Sequence, residues 1–131
     1  MDKLGRIMIA GKTYPMKCDL NVLEELQEQF GSINEFERQL LGLHFLTDKD
    51  GKQLYTKDGD PRMYKTEPSI KAIKAALPLL INEGITLEAE KKGEPVESVA
   101  DLDIIAACDV DFTLLAQMIH AEYRKCFVTK K

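Results

Sequence analysis

The chain has 131 residues, of which 44% are hydrophobic and 31% are charged, and its formal net charge at pH 7 is −4. This length favours one domain over residues 1–131, and the composition is typical of neither a disordered chain nor a membrane protein. The negative charge disfavours non-specific binding to nucleic acid, which needs a basic surface.

The three cysteines, Cys18, Cys108 and Cys126, are an odd number without close spacing. This pattern predicts neither a disulfide framework nor a zinc site, and it favours buried free thiols in a reducing cytoplasm. The longest apolar run, 75–81, is too short to span a bilayer, and no apolar signal core precedes it. We therefore expect a soluble protein that remains in the cytoplasm.

The first expected element is a β-hairpin over residues 5–18. Apolar side chains recur there at every second position, which is the period of a half-buried strand pair. If Ile9 lies opposite Tyr14 and Ile7 opposite Met16, one face of the hairpin is apolar. That face carries Ile7, Ile9, Tyr14, Met16 and Cys18.

The turn of this hairpin has two possible forms. A two-residue type II′ turn centred on Gly11-Lys12 would suit the glycine, but it places Pro15 at a hydrogen-bonded site opposite Met8. A loop of four residues, 10–13, keeps the same facing pairs and moves Pro15 to a non-bonded site. We prefer the longer loop for that reason.

Five amphipathic helices are expected after the hairpin, at about 22–30, 33–41, 69–83, 99–108 and 112–127. Asn21 or Asp19 would cap the first helix, and Ser32 would cap the second. Pro78 should kink the third helix and Gly84 should end it, because proline disrupts and glycine terminates helices. Together with the hairpin this predicts an α+β fold, with the hairpin packed on a mostly helical body.

Residues 43–65 contain two turn clusters, around Asp50-Gly51 and Asp58-Gly59, separated by short apolar pieces. The pattern predicts an exposed β-ribbon or a long ordered loop, mainly over residues 47–65. Loops of this length in small domains often carry function. The apolar and aromatic residues in these polar surroundings would either anchor the ribbon to the body or contact a partner. These candidate partner-binding residues are Leu54, Tyr55, Met63 and Tyr64.

No chemical motif is complete. An EF-hand loop starting at Asp48 would have Lys52 at position 5 and Gln53 at position 6, so it fails. His120 and Cys126 are six residues apart and do not share a helix face, and no glycine-rich phosphate loop occurs. We therefore assign no catalytic, metal-binding or cofactor-binding residues and expect a protein that is not an enzyme.

Residues 9–31 contain two linked motifs, Ile-x-Gly-Lys-x-Tyr and then Asp-apolar-Asn-apolar-Leu-x-x-Leu with a terminal Phe-Gly. Their residues are Ile9, Gly11, Lys12, Tyr14, Asp19, Leu20, Asn21, Leu23, Leu26, Phe30 and Gly31. This stretch resembles the tail assembly chaperones of long-tailed phages and prophages of Gram-positive bacteria. A similar plan of helices continues over residues 70–127, whereas residues 43–65 match no part of the family's pattern.

The resemblance implies a non-enzymatic chaperone in the cytoplasm of the bacterial host. It would bind the long helical tape measure protein, with or without the tail tube protein, during virion assembly. Many copies with weak contacts, and a homo-oligomer, fit this task, and no cofactor, nucleic acid or membrane is involved. The main alternative is a small head–tail joining or tail subunit retained in the virion. A host-directed regulatory protein and a hydrolase using Cys126 and His120 are further alternatives.

Overall fold

The computed structural model describes residues 4–95 and 111–127. This part of the chain forms two separate two-stranded antiparallel sheets and four helices, which confirms the α+β class. The strands are β1 (Gly5–Ile9), β2 (Lys12–Met16), β3 (Leu43–Phe45) and β4 (Met63–Lys65). The helices are α1 (Leu20–Phe30), α2 (Ile33–Leu41), α3 (Ile70–Lys92) and α4 (Phe112–Lys125). The helix predicted at 99–108 lies outside the described residues.

The hairpin of β1 and β2 is closed by the two-residue loop Ala10-Gly11. Both residues have positive φ, 50° and 81°, as a type I′ turn requires. Ile9 pairs with Lys12 and Ile7 with Tyr14, so both predicted turns and the predicted facing pairs are wrong. The error is a shift of two residues, which leaves every side chain on its predicted face. The predicted buried face is confirmed at Ile7, Ile9, Tyr14, Met16 and Cys18.

This register also accommodates Pro15, which pairs with Arg6. The pair that closes a two-residue loop is hydrogen-bonded, and bonded and non-bonded pairs then alternate along an antiparallel ladder. Counting from Ile9 and Lys12, the Arg6–Pro15 pair falls at a non-bonded position. The missing N–H of Pro15 therefore costs no bond to β1.

Side-chain caps fix the starts of the first two helices. The Asp19 carboxylate accepts hydrogen bonds from the backbone N–H groups of Asn21 and Val22, at 3.1 and 3.2 Å. Asp19, and not Asn21, is therefore the cap of α1. The Ser32 hydroxyl accepts from the backbone N–H of Glu35 at 3.0 Å, which confirms the predicted cap of α2.

Helix α3 is longer than predicted, because it continues through Pro78 and Gly84 and ends only at Gly93. The prediction that Gly84 ends the helix is wrong. A Cβ atom on Gly84 would lie 2.6 Å from the carbonyl oxygen of Pro15 and 2.8 Å from the backbone nitrogen of Met16. The glycine is therefore needed so that β2 can lie directly on α3.

A backbone hydrogen bond fixes this contact. The N–H of Lys17, just after β2, donates to the carbonyl oxygen of Leu80 in α3 at 3.0 Å. The apolar face of the hairpin thus packs on α3, and α1, α2 and α4 complete the core around it. Phe36 of α2 is fully buried, and its ring lies 5.4 Å from that of Phe30 and 5.6 Å from that of Tyr123.

Residues 43–65, called the ribbon below, are built differently. β3 and β4 pair from Leu43–Lys65 to Phe45–Met63. Beyond these pairs the ribbon has three limbs, which meet at Leu46, Leu54 and Arg62. Leu46 N–H donates to Arg62, Arg62 N–H to Leu54, and Leu54 N–H to Leu46, at 2.8, 2.9 and 3.0 Å. No residue of the ribbon is buried, so the predicted exposed ribbon is confirmed.

The side chain of Gln53 lies at the centre of this triangle of backbone bonds. Its amide nitrogen is 3.0, 2.7 and 3.1 Å from the carbonyl oxygens of Leu46, Leu54 and Arg62. At the base of the ribbon, the N–H of Thr66 donates to the carbonyl oxygen of Gly42 at 2.7 Å. The ribbon is therefore held by polar contacts of its own and begins and ends at one point of the body.

We predict that Gly84→Ala destabilises the fold by about 1–3 kcal/mol. The added methyl group meets backbone atoms of β2 that cannot rotate away, and this cost exceeds the gain of about 1 kcal/mol in helix propensity. Urea denaturation measures the change. Thr86→Ala, two residues further along α3, is the control and should change stability by less than about 1 kcal/mol. A Gly84→Ala variant as stable as the parent would contradict the close packing of β2 on α3.

We also predict that the body folds without the ribbon. Replacing residues 43–65 by a short Gly-Ser linker should leave the helical far-ultraviolet circular dichroism and cooperative thermal unfolding intact. The reason is that Gly42 and Thr66 already touch and the ribbon buries nothing in the core. Loss of cooperative unfolding would show that the ribbon is part of the folding unit.

Candidate partner-binding surface

The predicted partner-binding residues, Leu54, Tyr55, Met63 and Tyr64, all lie on the ribbon but do not form one patch. Met63 and Tyr64 are neighbours in β4, so their side chains point to opposite faces. Tyr64 stacks on His44, with ring centroids 5.1 Å apart. Tyr55 is exposed near the Thr56–Gly59 turn, and Leu54 is half-buried.

A groove of about 330 Å³, called the ribbon groove below, separates α2 from the ribbon. Phe45 and Met63, which pair across β3 and β4, form its outer wall and are 49% and 39% exposed. Leu41 and Leu43 add apolar surface below them. The complete lining is Ser32, Asn34, Glu35, Glu37, Arg38, Leu41, Leu43, Phe45 and Met63.

A second groove, of about 340 Å³, lies on the other side of α2, against α4. Phe127 is 52% exposed at its edge, and its ring lies 5.0 Å from that of Tyr123. The lining is Ile33, Asn34, Glu37, Tyr123, Arg124 and Phe127. Asn34 and Glu37 line both grooves, so they form a polar ridge between two partly apolar depressions. The two grooves and this ridge are called the α2 surface below.

Arg38 connects α2 to the ribbon. Its guanidinium forms a two-pronged ion pair with Glu35, donates to the carbonyl oxygen of Leu43 at 2.6 Å, and lies 5.9 Å from the ring of Phe45. Hydrogen bonds from Arg38, and one from Gln39 at 3.1 Å, lower the pKa of Glu35 to about 2. Arg38 therefore holds the Leu43 and Phe45 wall of the ribbon groove against α2, and its positive charge compensates the negative charge of Glu35.

A second polar contact ties α4 to α2. His120 Nε2 lies 2.8 Å from a carboxylate oxygen of Glu37, and the imidazole stacks on Tyr123 at 5.9 Å between centroids. Burial, with a smaller effect of the Glu37 charge, raises the pKa of Tyr123 to about 12. The phenol of Tyr123 is therefore neutral. The two acids of this surface, Glu35 and Glu37, contact Arg38 and His120.

Several groups with catalytic potential in the described part of the chain are engaged in structural contacts. Cys18 is buried, and burial together with the neighbouring Cys126 thiol raises its pKa, so the nucleophilic thiolate is disfavoured. His44 contacts the Thr66 hydroxyl at 2.7 Å. Asp48 accepts the N–H groups of its own turn at 2.9 and 3.0 Å. Within residues 4–95 and 111–127, no group of three His, Cys, Asp or Glu side chains could hold a metal ion.

Of the four predicted partner-binding residues, Met63 alone lines one of these two grooves, whereas Phe45, Arg38 and Phe127 line them without having been predicted. The alternation of Leu43 and Phe45 in a short apolar piece indicates a shared face, and that signal could have added Phe45. Phe127 joins the α2 surface through the packing of α4 on α2, which no local pattern reveals.

A scan against protein-family models, a search of curated proteins and a search of solved structures each gave no match to this chain. None of the four described helices combines the length and the apolar character of a membrane-spanning segment.

We predict that Arg38→Ala costs about 1–2 kcal/mol at pH 7, because it removes an ion pair and a charged hydrogen bond. The lowered pKa of Glu35 stabilises the folded state above the normal glutamate pKa of about 4.5, and this stabilisation is lost as the pH falls towards 2. The stability difference between parent and variant should therefore shrink between pH 5 and about pH 2.5. Urea titrations at several pH values measure it, with Arg62→Ala on the exposed ribbon as control. A difference that does not depend on pH would contradict the assigned pairing.

Proposed function

We propose that this protein is a non-enzymatic tail assembly chaperone of a long-tailed phage or prophage. It would hold the tape measure protein, with or without the tail tube protein, in the cytoplasm of the bacterial host. The observation that carries the proposal is the α2 surface, where Phe45, Met63 and Phe127 are exposed around two grooves. The resemblance of residues 9–31 to such chaperones supports the choice of partner.

The chemistry of the α2 surface favours an amphipathic helix as its occupant. Each groove offers apolar walls, and the ridge of Asn34 and Glu37 between them offers polar groups. A helix lying across α2 would place apolar side chains in both grooves and polar ones over the ridge, as in other helix-in-groove complexes. Tape measure proteins carry long apolar helical stripes that need such cover before the tail tube closes.

The charges of the α2 surface are largely internally compensated. Arg38 pairs with Glu35, and His120 contacts Glu37. Of the basic groups that line the two grooves, Arg124 alone makes no ion pair within the described part of the chain. Recognition would therefore be mainly apolar, with an acidic partner side chain near Arg124.

Weak binding by each copy follows from the size of the two grooves. Volumes of about 340 and 330 Å³ accommodate only a few partner side chains. Several copies along one tape measure protein would bind strongly together and still dissociate one at a time. A chaperone that must leave when the tube polymerises needs this combination.

We predict that the double variant Phe45→Ser, Met63→Ser captures the tape measure protein at least about tenfold less well than the parent chain, because two exposed apolar contacts are lost. Co-expression with affinity capture and quantitative mass spectrometry measures this. Folding should be unchanged, since neither side chain is buried.

The matched control is Met8→Ser, Leu20→Ser. These side chains are 60% and 81% exposed on the hairpin and α1, and their loss should leave capture unchanged. Equal loss in both double variants would contradict the assignment of the α2 surface. Recovery of the chain as a stoichiometric component of purified virions would favour a retained tail or head–tail joining subunit.

A further inference from the structure

The backbone of β4 has one unused edge. One backbone hydrogen bond marks a bonded position at each end of the β3–β4 ladder: the Leu46 N–H donates to the Arg62 carbonyl, and the Thr66 N–H donates to the Gly42 carbonyl. Bonded and non-bonded pairs alternate between them, so His44–Tyr64 is bonded. The N–H and C=O groups of Met63 and Lys65 therefore point away from β3.

These outward groups have no partner in the described parts of the chain, and all three residues of β4 are exposed. The opposite edge of the sheet is different, because the Leu43 carbonyl of β3 is occupied by Arg38 of α2. An open strand edge is a template for pairing with another strand. Over Met63–Lys65 this edge carries neither a proline nor a bulge, and its protection against pairing is limited to its short length and to the charge of Lys65.

We propose that two copies of this protein associate by antiparallel pairing of their β4 strands across a two-fold axis at Tyr64. Met63 of each copy then forms a hydrogen-bonded pair with Lys65 of the other, using the outward groups identified above. Tyr64 meets its own counterpart at a non-bonded position. The product is a continuous four-stranded sheet in the order β3, β4, β4 and β3.

The residues of β4 select this register over its neighbours. Because the side-chain and hydrogen-bond patterns both have a period of two, the alternative two-fold axes lie at Met63 or Lys65. An axis at Lys65 sets two lysines directly opposite each other, which is destabilising. An axis at Met63 pairs Lys65 with Pro61, which has no N–H to donate. The Tyr64 register avoids both costs.

Both faces of the combined sheet gain complementary contacts in this register. On one face, the stacked His44–Tyr64 pair of each copy meets its equivalent, which gives a row of four aromatic rings. On the other face, Met63 at the wall of the ribbon groove lies beside the aliphatic stem of Lys65 from the second copy. Aromatic cross-strand pairs favour this arrangement.

The association should be weak, because it pairs only three residues from each copy. Interfaces of this size are transient, and we expect a dissociation constant of about 0.1–1 mM. Bound together to one long partner, the copies would be present at a high effective concentration and would pair more completely. The dimer is nevertheless a property of the chain alone, independent of the proposed chaperone function.

Cysteine cross-linking of the purified chain tests the register. Opposed residues at a non-bonded antiparallel position have Cα atoms about 4.5 Å apart, within the range of a disulfide. Tyr64→Cys should therefore form a disulfide-linked dimer under mild oxidation at least about tenfold faster than Tyr55→Cys, a second exposed position on the ribbon. Equal rates for the two variants, or for Tyr64→Cys and the parent chain, would overturn the proposal.

Sedimentation equilibrium at up to ~1 mM tests the backbone contact. Lys65→Pro removes one outward N–H without touching the bonds to β3, so this variant should be monomeric. Lys65→Ala retains that N–H and should associate within about threefold of the parent chain. A parent chain that stays monomeric, or a Lys65→Pro variant that still associates, would overturn the proposal.

Discussion

The fold depends on the direct contact between β2 and α3 at Gly84. A two-stranded hairpin is not stable alone in water, and here its apolar face is completed by α3. The absence of a side chain at Gly84 brings the two backbones close enough for Lys17 to bond to the Leu80 carbonyl. The position of the hairpin follows from this one approach, whereas α1 packs on α2 and α3.

The ribbon is ordered by hydrogen bonds and not by apolar burial. It buries no side chain in the core, and its order comes from a triangle of backbone bonds around the Gln53 amide. The ribbon places Phe45 and Met63 beside α2, where both side chains are exposed. Arg38 links the two parts.

Local patterns in the sequence predicted much of this architecture. Period-two alternation identified the buried face of the hairpin, and the cap at Ser32 identified the start of α2. The sequence does not distinguish Gly84, a helical glycine required by tertiary packing, from a glycine that ends a helix. It does not reveal the hairpin register either, because Ala10 adopts a positive φ that is rare outside glycine.

The candidate site was predicted only in part, for a related reason. Met63 stands out in a polar segment, but the grooves form where α2 meets the ribbon and α4, through contacts far apart in sequence. The eight-residue spacing of Leu46, Leu54 and Arg62 marks the three limbs of the ribbon. That spacing has meaning only once the central role of Gln53 is known.

Hydrogen exchange of the chain with and without a bound tape measure protein tests directly whether this partner occupies the α2 surface. Binding to the α2 surface predicts slower exchange in residues 33–45, 61–65 and 120–127. Exchange in the outer strand β1 and in α1 should be unchanged. Protection confined to the hairpin and α1, with none around α2, would contradict the account.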